Sequence, residues 1–271
     1  MATSAGGQEP LLTALELTLD DLGLRWQQVQ RSFPDPNAGE SGAEPQSVFS
    51  YDQLTSEQMM IPDTLAQAID SGSNKSASVR ILSYLANNTQ VVRSDESPNS
   101  QEQSPGRSVP YSIISGVPRE LIERMLSESK PDENNAGASR QEASVTQTAS
   151  DDWVVINQWM AKELGAKVGD LLQIDYFLPE TVEGTEVEKS FQATVLAIAP
   201  LSEPEQPYRR KSPARFSQAP TVFNDPAWTP VVPGITDQES ISSWETPFAL
   251  TRKIDKQDDE YWNSHRLTPK L

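Results

Sequence analysis

Residues 151–200, DDWVVINQWMAKELGAKVGDLLQIDYFLPETVEGTEVEKSFQATVLAIAP, form the stretch that best defines a folding unit. The apolar run at 154–156 is typical of a buried strand. Asn157 follows it in a position to cap a helix, because its side-chain oxygen can accept a hydrogen bond from the first turn. Apolar residues then recur at helical spacing until Gly165, a residue typical of helix ends. The pattern predicts a strand followed directly by a short helix.

The second half of this stretch predicts two more strands. Gly169 and Asp170 form a typical turn pair, and apolar residues largely alternate from 171 to 178. An acidic connection separates this strand from another alternating run at 191–198. The predicted order is therefore strand, helix, strand, strand. The stretch contains no pattern of a nucleophile, a metal cluster or a phosphate-binding loop, so its residues predict a fold and no reaction.

The composition limits what this unit can belong to. With 271 residues, the chain is long enough for one large or two medium domains. Hydrophobic residues make up 36% of it and 21 residues are prolines, which predicts a modest core with long connections. The net charge of -17 would repel nucleic acid and anionic membrane surfaces, so neither is an expected partner.

Cysteine usage and apolar windows exclude further classes. The chain has no cysteine, which excludes disulfides, thiolate zinc sites and a cysteine nucleophile. No window approaches the roughly 18 apolar residues of a spanning helix, and the opening residues lack the pattern of an export signal. We therefore expect the sequence as given to be soluble and to carry no export signal.

The residues before 151 predict a second set of elements. Strands are predicted at 11–24, interrupted by a turn at Asp20 and Asp21, at 48–54 and at 109–117. Residues 79–87 are predicted as a strand but could equally form a helix, and helices are predicted at 62–69 and 118–127. A polar stretch at 128–150 has almost no large apolar residue and predicts a mobile connection. We therefore expect an α+β fold with two subdomains, 1–150 and 151–271, between which the chain can cross.

The C-terminal segment is rich in tryptophan and proline and has little periodicity. It is predicted to fold by packing its aromatic side chains onto a preformed core, which is favoured over an aromatic surface for a partner or a bilayer. The aromatic residues concerned are Trp228, Trp244, Phe248, Tyr261 and Trp262.

His265 is the only histidine, so any Ser–His–Asp triad or histidine metal site would depend on it. Its polar surroundings favour a surface histidine over a catalytic one. A nearby acidic run lacks the spacing of an EF-hand loop, so a solvated face or pairing with Lys253 and Lys256 is favoured over a cation site. This run consists of Asp255, Asp258, Asp259 and Glu260.

Two further patterns carry little information. Arg209, Arg210 and Lys211 form the only basic cluster, for which an exposed loop is favoured over a phosphate or acidic-protein site. A glycosylation sequon begins at Asn87, but such triplets are frequent by chance. We therefore assign no residue to catalysis, to a cofactor or to a metal.

Several stretches together resemble a known family. VVINQWMAKELGAKVGDLLQIDYFLPE and the following FQATVLAIAPL resemble the extracytoplasmic domain of ABC transporter permeases of the MacB and FtsX-like type. LTLDDLGLRW, RILSYLANNT, VPYSIISGV and residues 231–270 look like the same subgroup, in the expected order. The matching residues, which we interpret as structural, include Tyr84, Asn87, Tyr111, Asn157, Gly165, Gly169, Asp170, Tyr261 and Trp262.

This resemblance implies a function that the residues alone do not predict. It implies a MacB-like periplasmic domain of mixed sheets and short helices, which lies outside the cytoplasmic membrane and is joined to the transmembrane helices of the same permease. A separate cytoplasmic ATPase would drive it, and it would contact a substrate, a periplasmic protein or a lipoprotein without performing chemistry or binding a cofactor. A homodimer in the full transporter is compatible with this resemblance. Long polar insertions at 95–107, 128–150 and 203–219 have no obvious counterpart in the family, so a partner surface would be remodelled.

Two alternatives stay open at this point. One is a freestanding binding module built on a small β-barrel, because the order "Leu-Gly, Gly-Asp, strand" recurs in double-psi barrels. The other is a hydrolase that uses His265 with a serine. Membrane spans on either side of the segment would exclude the first, and a lack of turnover against generic substrates would count against the second.

Overall fold

A computed structural model describes residues 18–33, 46–57, 60–72, 78–92, 107–128, 152–178, 186–209, 212 and 214–271. The first half of the strand predicted at 11–24 lies outside these residues, as do nearly all of the polar stretches at 95–107 and 128–150. Arg210 and Lys211 lie outside them as well.

The described residues form seven strands in two sheets, together with four α-helices, which confirms the predicted α+β class. The elements are β1 (Leu24–Phe33), β2 (Gln46–Ser56), α1 (Asp63–Gly72), β3 (Leu82–Val91), β4 (Ser108–Gly116), α2 (Arg119–Glu128), β5 (Trp153–Asn157), α3 (Gln158–Leu164), β6 (Leu171–Phe177), β7 (Glu188–Ala199) and α4 (Lys256–Ser264). In the described part of the chain, no helix is both long enough and apolar enough to cross a membrane.

The chain divides into two compact units. The first contains most of β1 and β2, which form a two-stranded sheet, together with α1. The second contains β3 to β7 and helices α2 to α4. The division predicted at residue 150 does not coincide with these units, because strands from both sides of that residue share one sheet.

This shared sheet has five strands in the order β4-β3-β6-β7-β5. Its neighbouring strands are antiparallel, except that β5 runs parallel to β7 and pairs Ile156 with Ile198. The predicted order of strand, helix, strand, strand from residue 151 onward is confirmed by β5, α3, β6 and β7. Strands β4 and β5 are the two edges of the sheet.

The turns around α3 follow from residues that were identifiable in the sequence. The side chain of Asn157 accepts a hydrogen bond from Met160 N at 2.8 Å and so caps the helix. Gly165 ends it with a φ of 64°, in the left-handed region where only glycine is free of strain. In the next turn Gly169 has a φ of 93°, and Asp170 Oδ2 accepts from Lys167 N at 2.8 Å.

Buried apolar side chains form three clusters in the second unit. The first cluster packs α3 onto the sheet and includes the fully buried Ile156, Met160 and Leu172. The second cluster packs α2 against β5 and β7, with Ile122 and Val155 buried in it. Each fully buried aliphatic side chain of this size contributes roughly 1.5–3 kcal/mol relative to an exposed one.

The third cluster joins the C-terminal segment to β4 and confirms that Trp244 and Trp262 are core residues, whereas Phe248 is half-buried against it. Trp244 and Trp262 are buried with their ring centroids 4.9 Å apart, and Tyr111 of β4 packs beside them. The sequence did not predict α4, which carries Tyr261 and Trp262 on its buried face. Asp258 Oδ2 accepts a hydrogen bond from Asp255 N at 2.9 Å and thereby begins this helix.

Candidate functional site

The last residues of the chain are bonded to both edges of the five-stranded sheet. At the β4 edge, Lys270 N donates to Ile113 O at 2.8 Å, and Ser115 N donates to Leu271 O at 3.0 Å. At the β5 edge, Asn157 N donates to Lys270 O at 3.0 Å. We call residues 268–271 the closing segment, because it occupies backbone groups that an edge strand would otherwise leave open.

Asn157 holds the closing segment with its side chain as well. Its Nδ2 donates to the Tyr261 hydroxyl at 2.7 Å and to Pro269 O at 3.2 Å, while its Oδ1 caps α3. The Tyr261 hydroxyl in turn donates to Thr268 O at 3.3 Å. Burial raises the pKa of Tyr261, so the hydroxyl stays neutral. One amide therefore connects a helix start, helix α4 and the closing segment.

Lys270 has an unusual environment for a lysine. Its side chain is buried, and Nζ lies 4.7 Å from the ring centroid of Trp159 and 4.9 Å from that of Tyr261. Nζ has no hydrogen-bond partner among the described residues. Burial lowers the pKa of Lys270 to about 8, whereas the charges of Asp258 and Glu163 act in the opposite direction. Two ring faces and two carboxylates thus partly replace the hydration that the Lys270 ammonium loses on burial.

Two carboxylates predicted to be solvated are instead part of the fold. Asp258 is buried, which raises its pKa. Asp259 accepts hydrogen bonds from Ser240 Oγ and, at 2.9 Å, from Ile241 N. The solvated-face interpretation was wrong for these residues because α4 turns them towards the 3-10 turn at Ile241–Ser243 and towards Lys270.

The other two carboxylates of the run form the predicted ion pairs. Lys253 Nζ lies 2.6 Å from Asp255, and Lys256 Nζ lies 2.6 Å from Glu260. All four side chains are largely exposed, so solvent screens each pair and it adds little to stability.

The prediction of a surface histidine was wrong. The ring of His265 is buried, and its Nε2 lies 3.0 Å from Glu203 Oε2. Because a carboxylate can only accept, Nε2 is the donor, and this hydrogen bond is the main cause that holds the pKa of Glu203 below its usual value. Nδ1 has no hydrogen-bond partner among the described residues. Among the described residues, no serine hydroxyl bonds to the ring, as the hydrolase alternative would require.

A second polar connection fastens the C-terminal segment to β6 and β7. Arg252 Nη2 lies 2.8 Å from Glu188 Oε1 and 3.7 Å from Asp175 Oδ2, and Arg252 N donates to the Tyr111 hydroxyl at 2.8 Å. Burial would raise the pKa of Glu188, but hydrogen bonds from Asn87 and Arg252 outweigh it and lower this pKa. Tyr111 has a φ of 44°, a strained value for a bulky residue, in the part of β4 that this connection restrains.

The remaining motif residues also have structural contacts. Tyr84 donates its hydroxyl to Phe177 O at 2.6 Å, and Trp262 Nε1 donates to Gln238 O at 2.8 Å. Asn87 is buried within β3, so its sequon does not face solvent in the folded chain. The structure thus places Asn157 and Tyr261 together at the closing segment.

Sequence reasoning missed Lys270, Glu203 and Arg252. Each lies in a polar stretch without periodicity, and its partners are distant in sequence, so no local pattern could have identified it. Within the described ranges there is no group of three or more histidine, aspartate and glutamate side chains that could hold a metal ion.

Comparison of the sequence with protein-family models finds no match. A search of curated proteins likewise finds none with significant similarity.

Proposed function

We propose that this chain is the extracytoplasmic domain of an ABC-type permease of the MacB and FtsX-like kind, engaged in export or lipoprotein handling. It contacts a substrate or a partner outside the membrane and transmits movement that a separate cytoplasmic ATPase drives. It performs no chemistry of its own. The proposal rests on the resemblance of the sequence motifs and on the way in which the closing segment is held.

The single observation that best supports transmission is the bonding of the closing segment to both sheet edges. Lys270 is bonded to Ile113 in β4 and to Asn157 in β5. A displacement applied to this segment acts on both edges at once, and the antiparallel ladders carry it through β3, β6 and β7. A membrane helix connected after Leu271 would therefore move the five-stranded sheet as one body.

The contacts of the motif residues give a second line of support. Asn157 and Tyr261, which belong to two separate motifs, meet at 2.7 Å. Asn87 and Tyr111, from two others, meet through Arg252 and Glu188. Motif residues with structural contacts are expected in a family whose members share a fold and not a reaction.

The sequence on either side of the segment gives the first test. One spanning helix before it and several after it are expected. The absence of spanning helices on both sides would overturn the proposal. That absence would favour the freestanding binding module. The supporting observation for such a module is that the closing segment is bonded to both edges of the sheet.

A nitroxide label gives the second test. Because the segment has no cysteine, Val231→Cys provides a single labelling site on a side chain that is 77% exposed. In vesicles that contain the full permease and its ATPase, ATP is expected to change the spectrum of this label. Asn157→Ala, which loosens the closing segment, should reduce the change while ATP hydrolysis continues. Lys256→Met, which breaks only an exposed ion pair with Glu260, should leave it intact. If ATP leaves the spectrum of the label unchanged in the unmodified permease, the proposed transmission of movement is contradicted.

A further inference from the structure

A cavity of about 170 Å³ that is partly open to solvent lies in the second unit. Its wall is formed by the end of β4, by β5 and by α2, with the closing segment on one side. Two consecutive 3-10 turns, Val222–Asn224 and Pro226–Trp228, cover it. Of these elements, β4, β5 and the closing segment also take part in the proposed ATP-driven movement, whereas α2 and the two 3-10 turns do not.

The wall is mainly apolar and partly aromatic. It includes Ile122, Trp153, Val155, Val222, Phe223 and Trp228. Although these side chains belong to the second core cluster or pack against it, four of them remain half-buried. The two tryptophans, the phenylalanine and Val222 therefore keep apolar surface that no other part of the described chain covers.

The polar groups of the wall are engaged elsewhere. Asn157 uses its side-chain amide for the bonds described above, and Asp225 Oδ1 accepts from Ala227 N at 2.9 Å. Ser115 Oγ shares a hydrogen bond with a serine of β3. The ammonium of Lys270 lies against two rings that are not part of the wall. The cavity thus offers little hydrogen bonding to water or to a polar ligand.

We propose that this cavity binds an uncharged apolar group of about the size of a benzene ring or a six-carbon alkyl chain. Apolar cavities of about 150 Å³ engineered into another protein stay dry and bind benzene, so the volume is sufficient. Three aromatic side chains supply faces and edges for contact with such a group. This site does not depend on the permease proposal, because it needs only the folded second unit.

The test is a titration of the full chain with benzene, 1-hexanol and 1,6-hexanediol, followed through the indole resonances of Trp153 and Trp228. Benzene and 1-hexanol represent a ring and the end of an acyl chain, and at least one of them is expected to bind saturably. The diol is expected to bind about tenfold more weakly than 1-hexanol, because its second hydroxyl would be buried without a partner. Equal affinity of the two alcohols would overturn the apolar character of the site.

Filling the cavity gives a matched comparison. Val222→Phe places a ring in the cavity and is expected to weaken binding about tenfold or more. Val231→Phe makes the same change on a side chain that is 77% exposed and should leave binding unchanged. Ala199→Leu fills the cavity from β7 and replaces Val222→Phe if that variant loses its far-ultraviolet circular dichroism. The proposal is overturned if neither benzene nor 1-hexanol binds the unmodified chain, or if the filled variants bind as Val231→Phe does.

Discussion

At Asn157, one amide side chain satisfies a helix N-terminus, a tyrosine hydroxyl and a carbonyl of the closing segment. Both of its side-chain N–H groups donate and its oxygen accepts a hydrogen bond, and the residue is buried. Loss of the amide therefore leaves several buried groups without partners, which costs more than the loss of one exposed cap.

Asn157→Ala is expected to lower the free energy of unfolding by about 2–4 kcal/mol, the sum of a helix cap and two buried hydrogen bonds. Asn157→Ser retains an oxygen that can cap α3 and should cost about 1 kcal/mol less. Urea unfolding of both variants measures the difference. A variant Asn157→Ala as stable as the unmodified chain would show that the amide does not hold the closing segment.

Lys270 is expected to make stability depend on alkaline pH. Its pKa of about 8 in the folded chain lies below its ordinary value of 10.5. Between these values the unfolded chain binds more protons, so the contribution of Lys270 to stability rises with pH, by up to roughly 3 kcal/mol. Lys270→Met removes this dependence and should be more stable than the unmodified chain at pH 7. Thermal unfolding from pH 7 to 10 measures the difference, and parallel curves for the two proteins would contradict it.

The sequence was informative at the residue scale wherever the cause is local. Asn157, Gly165 and Gly169 were predicted correctly because a cap or a left-handed turn depends on the nearest few residues. Asp258 and His265 were predicted to be exposed and are buried. Their environment is set by residues distant in sequence, such as Lys270 and Glu203, which a search for local patterns does not bring together.

At the scale of elements, alternation and helical spacing predicted the strands and helices from 151 to 199 in the correct order. Helix α4 was missed because its buried side includes Asp258 beside Tyr261 and Trp262, which obscures the apolar periodicity. The C-terminal segment is held largely by short 3-10 turns with side-chain caps, such as Asp225 on Ala227. Such turns have no repeating pattern from which they could be predicted.

Deletion of residues 268–271 is expected to open both edges of the sheet. The amides of Ser115 and Asn157 lose their acceptors and should exchange with deuterium about tenfold faster or more, whereas amides in the central strands β3 and β6 keep their partners. Leu271→Ala is the control, because it retains every backbone hydrogen bond. Unchanged protection at both edges after the deletion would show that the closing segment does not hold them.

The connection through Arg252 is expected to stabilise more than an exposed ion pair. Arg252→Met removes contacts with Glu188 and Asp175 and should cost about 1–2 kcal/mol, because Asp175 is buried. Arg25→Met breaks an exposed pair with Glu57 and should cost about 0.5 kcal/mol or less. Urea unfolding measures both costs, and equal values would contradict a special role of Arg252.

For the whole molecule, the α+β class was predicted correctly from the sequence, whereas the predicted boundary at residue 150 stays a prediction. The polar stretch at 128–150 indicated a boundary, yet the chain returns to the same sheet after it. All three core clusters consist of residues between 85 and 271. The second compact unit is therefore determined by the pairing of strands in one sheet and not by the change in composition at 128–150.

Two fragments distinguish these divisions. Residues 79–271 contain the complete five-stranded sheet and are expected to fold alone, with dispersed amide resonances and one cooperative unfolding transition. Residues 151–271 lack β3 and β4, so β6 loses a neighbour and the closing segment loses one edge. This shorter fragment is expected to remain unfolded or to aggregate. Cooperative folding of residues 151–271 would support the predicted subdomain boundary at residue 150.

The closing segment also sets an order of events during synthesis. Strands β4 and β5 leave the ribosome long before Lys270 and Leu271, so a nascent chain must carry both edges unprotected while the C-terminal segment is being made. Edge strands without partners pair readily with other chains. Ribosome-bound or truncated chains that stop before residue 268 should therefore be the forms that aggregate and need chaperones, and the emergence of residues 268–271 should end that need.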